Sequence, residues 1–212
     1  MSTRSKTGLA LLFAGLVLLF GAFGLWQHNR EDDLEAESNA RVVMEELAPL
    51  IMERAEVAVA APDIPTETEI ISDSNITETP VREMDTVEID GKLYIGFLTV
   101  PDLELELPVM STWNYDLLTI APCRYHGTVE GRDLVIAAHN YSRHFGKLRN
   151  LTAGESILFT DVNGRTTGYT VEALEVLQPD AVEEMTAGEY PLSLFTCTYG
   201  GATRFTVRCV LD

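Results

Sequence analysis

Cys197 ends a run that alternates apolar and small residues, Leu192-Ser-Leu-Phe-Thr196, and stands just before a glycine pair, Gly200-Gly201. Alternation resumes with Phe205, Val207 and Cys209, so residues 192–210 read as strand, tight turn, strand, the glycines supplying the positive φ of a hairpin turn. A thiol at the rim of a sheet can be exposed, whereas one in mid-strand is normally buried and inert. Its chemistry would be nucleophilic attack, which needs a base or an ion-pair partner. The chain offers His28, His126, His139 and His144. Only His139 ends a buried strand, the apolar run Leu134-Val-Ile-Ala-Ala138, and it is followed by the polar loop Asn140-Tyr-Ser-Arg-His144. His126 and His144 read as surface loop residues. Arg204 returns beside Cys197 across the hairpin, but Arg208 shares its face by the period of two, so alternation does not choose between these cations. No glycine-rich phosphate loop and no metal-ligand spacing is present, so neither cofactor nor metal is expected.

The elements that must position these residues are short strands, expected over 93–100, 103–109, 134–139, 156–161, 168–177, 191–196 and 203–210, each with β-branched or aromatic residues between turn signals. Asn163-Gly164 marks a hairpin. Two stretches, 114–119 and 144–151, read as helical turns. Many short strands with few helices make an all-β barrel or sandwich, and the roughly 126 residues of 87–212 can bury such a core without disulfides. Cys123 and Cys209 are either a bridge or two small buried hydrophobes.

With these residues in place, the sequence resembles the sortase family, membrane-anchored cysteine transpeptidases of Gram-positive surfaces. Leu194-Phe195-Thr196-Cys197 fits the end of the family's Thr-Leu-x-Thr-Cys signature, Thr203-Arg204-Phe205 fits the strand bearing its arginine, and Ala138-His139-Asn140 fits its strand-end histidine. The resemblance runs from about Leu93 to the C-terminus. It implies a closed β-barrel of about eight strands with Cys197, His139 and Arg204 around one groove, and Thr196, Thr198 and Asn140 contacting substrate. By implication Cys197 attacks the threonine carbonyl of a Leu-Pro-x-Thr-Gly-like (LPXTG-like) sorting signal on a surface protein, His139 protonates the departing amine, and Arg204, with the Thr198 backbone N–H as a second donor, holds the oxyanion. An amine of a cell-wall precursor or a pilin then resolves the thioacyl enzyme. The short connection 178–190 lacks the helical insertion of class B, and the chain ends directly after the last strand without an Asp-Pro-aromatic lid motif before the barrel, unlike the pilus-polymerising class. Class D-like and class B-like readings stay open, with a housekeeping or class D-like anchoring role preferred. A pilin-polymerising sortase, a cysteine peptidase releasing the same peptides by hydrolysis, and a non-catalytic anchored barrel binding wall peptides are the alternatives.

The N-terminus bears on location. Residues 8–26 carry no charge and would span about 28 Å as a helix, enough for a bilayer core. Arg4 and Lys6 precede this stretch while Glu31, Asp32 and Asp33 follow it, so residues 1–7 are expected to be a cytoplasmic tail, 8–26 an uncleaved single-pass anchor and the bulk extracellular. Residues 27–86 carry 4 basic and 16 acidic side chains, an acidic stalk and linker, and the overall charge of −18 excludes a nucleic-acid partner. Within the stalk, 31–57 shows a helical period through Leu34, Val43, Leu47, Leu50 and Arg54, read as a solvated stalk in preference to a groove-covering appendage. Pro49 is expected to kink or split it. Residues 58–86 read as a flexible linker, and 87–212 as the catalytic barrel.

Overall fold

The run Leu134–Ala138 is apolar at every position because both of its faces are buried. Leu134, Ile136 and Ala138 point into one apolar cluster, with Ile95, Leu98, Phe159, Leu194 and Val207, while Val135 and Ala137 join a second one outside the sheet. The structure is a computed structural model that describes residues 3–60 and 83–212, without the side chains of residues 3–11 and 58–60. Its strands are β1 Val87–Ile89, β2 Lys92–Val100, β3 Leu105–Met110, β4 Cys123–His126, β5 Leu134–Ala138, β6 Ser156–Asp161, β7 Thr166–Leu177, β8 Leu192–Cys197 and β9 Arg204–Leu211. They hydrogen-bond in the order β1-β2-β3-β4-β5-β8-β9-β7-β6. A further antiparallel pairing of β2 with β6, Gly96 opposite Asp161 through Thr99 opposite Leu158, closes β2 to β9 into an eight-stranded barrel. This is the expected all-β closed barrel, and β1 is a short extra strand beside the start of β2.

Two strands and one helix escaped the sequence reading. β1 and β4 have three and four residues, too short to show a period, and the helix Val182–Thr186 lies within the connection 178–190. The helical turns expected near 114–119 and 144–151 are present as Tyr115–Leu118 and the 3-10 helix Phe145–Asn150. Cys123 and Cys209 are unbridged. They belong to the outer and inner clusters respectively, on opposite sides of the sheet, and both are the small buried hydrophobes of the second reading.

The N-terminal helix α1, Thr3–Ala60, corrects two expectations. It runs unbroken through Pro49. Pro49 and Glu45 are both on its exposed side, so water can meet the Glu45 carbonyl that loses its donor, while Leu47 and Ile51 are pinned to the barrel. Nor is its second half a solvated stalk: Ala36, Ala40, Val43, Leu47 and Ile51 form a buried stripe at three- and four-residue steps. Val43, Leu47 and Ile51 pack with Val87, Ile89, Tyr94 and Met110. The stripe differs from the expected one at its ends, since Leu34 is exposed and small alanines make the contact instead. From Leu12 to Arg30 the helix is unpacked, with Leu12, Phe13, Val17, Leu18, Leu19 and Phe23 all exposed, and α1 is long and apolar enough to cross a membrane. Most of the linker expected over 58–86 lies outside the described residues, but its end already belongs to the barrel: Met84 packs on the inner cluster and Asp85 accepts from the Asn163 amide at 2.8 Å.

Candidate active site

Strand register brings the three chemical residues together. β5 and β8 are parallel neighbours whose last pair is Ala138 with Thr196, and the Thr196 hydroxyl ties them by donating to the Ala138 carbonyl at 2.8 Å. His139 and Cys197 are the next residue on each strand. By alternation they share the outer face with Ala137 and Phe195. β9 returns antiparallel to β8 and pairs Arg204 directly with Cys197. Arg208 pairs with Ser193 instead, so pairing separates the two cations that alternation alone could not.

Their surroundings separate them further. Arg208 is 5% exposed and saturated: it meets the Glu175 carboxylate, the Ser193 hydroxyl at 2.9 Å and the Glu184 and Met185 carbonyls at 2.9 and 3.4 Å, with the Tyr190 ring 5.3 Å away. It anchors the short helix of the 178–190 connection. Arg204 meets no carboxylate within ion-pair distance among the described residues; its Nη1 donates to the Gly201 and Thr203 carbonyls at 3.1 and 3.2 Å.

The hairpin between Cys197 and Arg204 is built as its sequence suggests. Gly200 and Gly201 have φ of 76° and 74°, a region that side chains disfavour. Thr198 and Thr203 lock the turn: the Thr198 N–H donates to the Thr203 carbonyl at 2.9 Å, the Thr203 N–H donates to the Thr198 hydroxyl at 3.1 Å, and the two hydroxyls lie 2.8 Å apart. The Thr198 N–H is therefore engaged within the turn and is not free as an oxyanion donor, which corrects the role expected for it.

Cys197 opens onto a cleft of about 140 Å³. Thr196 and Thr198 line it, whereas His139, Asn140 and Arg204 are not among its lining residues. Sequence reasoning missed Phe145, Gly146, Arg149 and Tyr199 in that lining. Tyr199, 88% exposed, could have been noticed from its place two residues after the cysteine; Arg149 could not, because the 3-10 helix Phe145–Asn150 reaches the site only through the fold. Gly146 is needed for close approach, since a Cβ there would lie 2.5 Å from the Asn140 carbonyl.

His139 is half-buried, and burial lowers its pKa below the usual histidine value. Its carbonyl accepts from the Phe145 N–H at 3.1 Å and its ring lies 4.9 Å from that of Tyr141. His144 overturns the surface reading: it is 0% exposed, and among the described residues neither ring nitrogen meets a partner in good hydrogen-bond geometry, with the Ala36 backbone the polar group nearest to bonding it. Burial, then the nearby His139, pushes its pKa down to about 4. The polar loop looked solvated in sequence because nothing local reveals that α1 covers it. His126 is on the surface as expected, 3.7 Å from Asp133.

A closed eight-stranded barrel with a cysteine and a histidine ending adjacent parallel strands, and an arginine paired to the cysteine, describes the sortase class of domain. The sortase-domain family profile matches residues 98–212, just over half of the chain, and the chain belongs to the sortase family. It is 30% identical over 137 residues to Sortase A of Bacillus anthracis, an alignment that spans 62% of this chain and 65% of that protein. Among solved structures, the Clostridium perfringens Sortase D5 transpeptidase superposes with a TM-score of 0.57 at 15% identity, covering 82% of this chain and 99% of that one. Sortase C1 of Streptococcus agalactiae gives a TM-score of 0.55 at 20% identity, covering 82% and 98%. At these identities the structural likeness speaks for the fold.

Proposed function

We propose that this protein is a cysteine transpeptidase that cleaves an LPXTG-like sorting signal and transfers the acyl group to an amine. The observation that carries this reading is the pairing of Cys197 with Arg204 one residue beyond the Ala138–Thr196 pair, which sets His139 on the neighbouring strand end. The Cys197 thiolate adds to the threonine carbonyl; the tetrahedral intermediate collapses to a thioester, and the leaving amine takes its proton from the His139 imidazolium. The incoming amine then adds to the thioester, gives its proton to His139, and expels the thiolate. Burial disfavours the His139 imidazolium, which opposes the charged form of the pair. Arg204 swings from the turn carbonyls it now holds to the substrate or the developing oxyanion, an exchange between solvent-accessible acceptors. Thr196 fixes the strand ends and Thr198 the turn.

The apolar start of α1 is the single-pass anchor of this reading, with the N-terminus inside and the barrel on the outer face of the cell membrane. The acceptor is then an amine of the wall precursor or of a pilin, and the short 178–190 connection favours a class D-like anchoring role. The test is incubation of the detergent-solubilised full chain with a labelled sorting peptide, with and without an amine acceptor. A ligated product and a mass adduct on Cys197 are expected; free acid alone in the presence of amine would make the protein a peptidase, and no adduct would remove the catalytic reading altogether.

A further inference from the structure

Residues 141–144 form the turn that follows the strand-end histidine, and the docked half of α1 grips it at three points. Asp33 accepts both from the Ser142 N–H and from its hydroxyl, each at 2.8 Å. One helical turn on, Glu37 faces the Arg143 guanidinium at 3.3 Å. Between these positions on the helix is Ala36, buried like His144, whose imidazole its backbone faces. Positions 33, 36 and 37 share one helix face, so a single surface of α1 meets three consecutive residues of the loop. The loop in turn leads back to His139, through the hydrogen bond from Phe145 to the His139 carbonyl and through the Tyr141 ring, which lies 4.9 Å from that of His139 and 5.6 Å from that of His144. The His144 imidazole is held away from water, and an open loop would hydrate it. The contacts from Asp33 and Glu37 oppose that opening.

We propose that this half of α1 is a clasp on the histidine loop, in which Asp33 and Glu37 are positioning residues that hold the His139 imidazole toward Cys197; the proposal rests on His139 acting in the reaction proposed above. The two grips are unequal. The Glu37–Arg143 pair is about half exposed on both sides and contributes little alone, whereas the Asp33 carboxylate takes two charge-assisted hydrogen bonds from one residue. The clasp also has a direction. Gly164, in the β6–β7 turn, sits against Ala55, at the barrel end opposite His139 and Cys197, so α1 runs along the barrel from the active-site end at Asp33 toward the far end at Ala55. Asp33 is seven residues beyond Trp26, about 10 Å along the helix, so the apolar segment and the grip on the loop belong to one rod. The charged and titratable groups facing His144 are Asp33 from α1 and His139 from the loop, with Tyr141 stacked between the rings and itself faced by Asp32, Asp33 and Glu35.

The experiment uses the full chain in detergent, with turnover of a sorting peptide and NMR titration of the His139 and His144 rings measured in parallel. Asp33→Ala should lower kcat on the order of tenfold by loosening the imidazole's position, leave KM unchanged, and move the histidine limb of the pH profile upward as the loop hydrates. Glu37→Arg should show a smaller loss that Arg143→Glu in the same chain restores. Glu45→Gln, on the exposed side of α1 and 3.9 Å from Arg41, should change nothing. An unchanged or raised kcat in Asp33→Ala, or an effect on KM alone, would overturn the clasp. Should the unaltered chain show no turnover, the catalytic reading fails, and the titrations decide the clasp separately: ring pKa values identical in Asp33→Ala and the parent chain overturn it, and values shifted upward uphold it.

Discussion

Arg204 and Arg208 stand four residues apart on one face of the last strand with opposite surroundings. Among the described residues Arg204 donates only to turn carbonyls beside Cys197, so its planar fork can exchange them for a substrate oxygen, and lysine would offer a hydrated point charge on a flexible stem instead. Arg204→Lys is expected to lose on the order of tenfold to a thousandfold in kcat/KM, one misplaced oxyanion-type donor. Arg208→Lys should instead lower stability by about 2 kcal/mol, because the buried Ser193 hydroxyl and the partly exposed acceptors of Glu175 and Glu184 lose their donors, with kcat/KM of the folded protein nearly unchanged. Peptide kinetics and thermal melts on the two variants check both halves, and loss of kcat/KM in Arg208→Lys alone would reassign the arginine. The cysteines divide in the same way. Cys123 and Cys209 are buried, and burial pushes each thiol up to about 12, so at pH 8 only on the order of one molecule in ten thousand carries either thiolate. A thiol reagent under native conditions should therefore modify Cys197 first, read by mass spectrometry of the peptides; rapid labelling of Cys123 or Cys209 would contradict their packing.

Among the elements, the closure of the barrel depends on one glycine. Gly96 sits at an irregularity of β2, with φ of 145°, where the strand leaves β1 and takes up β6. A Cβ there would lie 2.0 Å from the Thr160 carbonyl of β6, and backbone cannot yield as a flexible side chain can. Gly96→Ala is expected to cost about 3 kcal/mol or more, while Gly154→Ala, whose φ of 97° meets open space, should cost about 1 kcal/mol. Thermal unfolding of the two variants makes the comparison, and equal losses would show that β2–β6 closure tolerates a side chain. The hairpin glycines, by contrast, face open space, and their requirement is conformational alone.

At the scale of the whole molecule, α1 joins an exposed apolar segment to the active-site loop, and His144 makes that junction sensitive to acid. In the docked state its pKa is lowered to about 4, mainly by burial; released into water it would titrate near 6.5. A pKa depressed in the docked state means that docking binds fewer protons, so it is fully favoured above about pH 6.5 and weakens as pH falls toward 4, by as much as about 3 kcal/mol. Hydrogen exchange of residues 31–51 should accelerate over that window while the barrel strands stay protected. Exchange independent of pH after correction for the intrinsic rate would mean that His144 is not released with the helix. The orientation has its own test: protease added to intact protoplasts should remove the barrel, because Arg4 and Lys6 precede the apolar stretch and acidic residues follow it. A barrel protected while the membrane is intact would reverse that topology.

The sequence by itself determined the strands whose side chains alternate or run wholly apolar, the hairpin glycines, and the placing of Cys197 and His139 at strand ends, because each is written in local period and turn chemistry. Barrel closure, the parallel pairing that brings the strand ends of His139 and Cys197 together, and the placing of Arg204 rather than Arg208 opposite Cys197 follow from register between strands, which no local pattern encodes. Strands of three or four residues, β1 and β4, carried too little period to be seen. The largest difference lies in α1 and the loop after His139. Alanines at 36 and 40 and a histidine at 144 look like solvated positions until a partner surface covers them, and that surface exists only once the barrel has formed: burial is a property of the pair, so tertiary structure alone decided it.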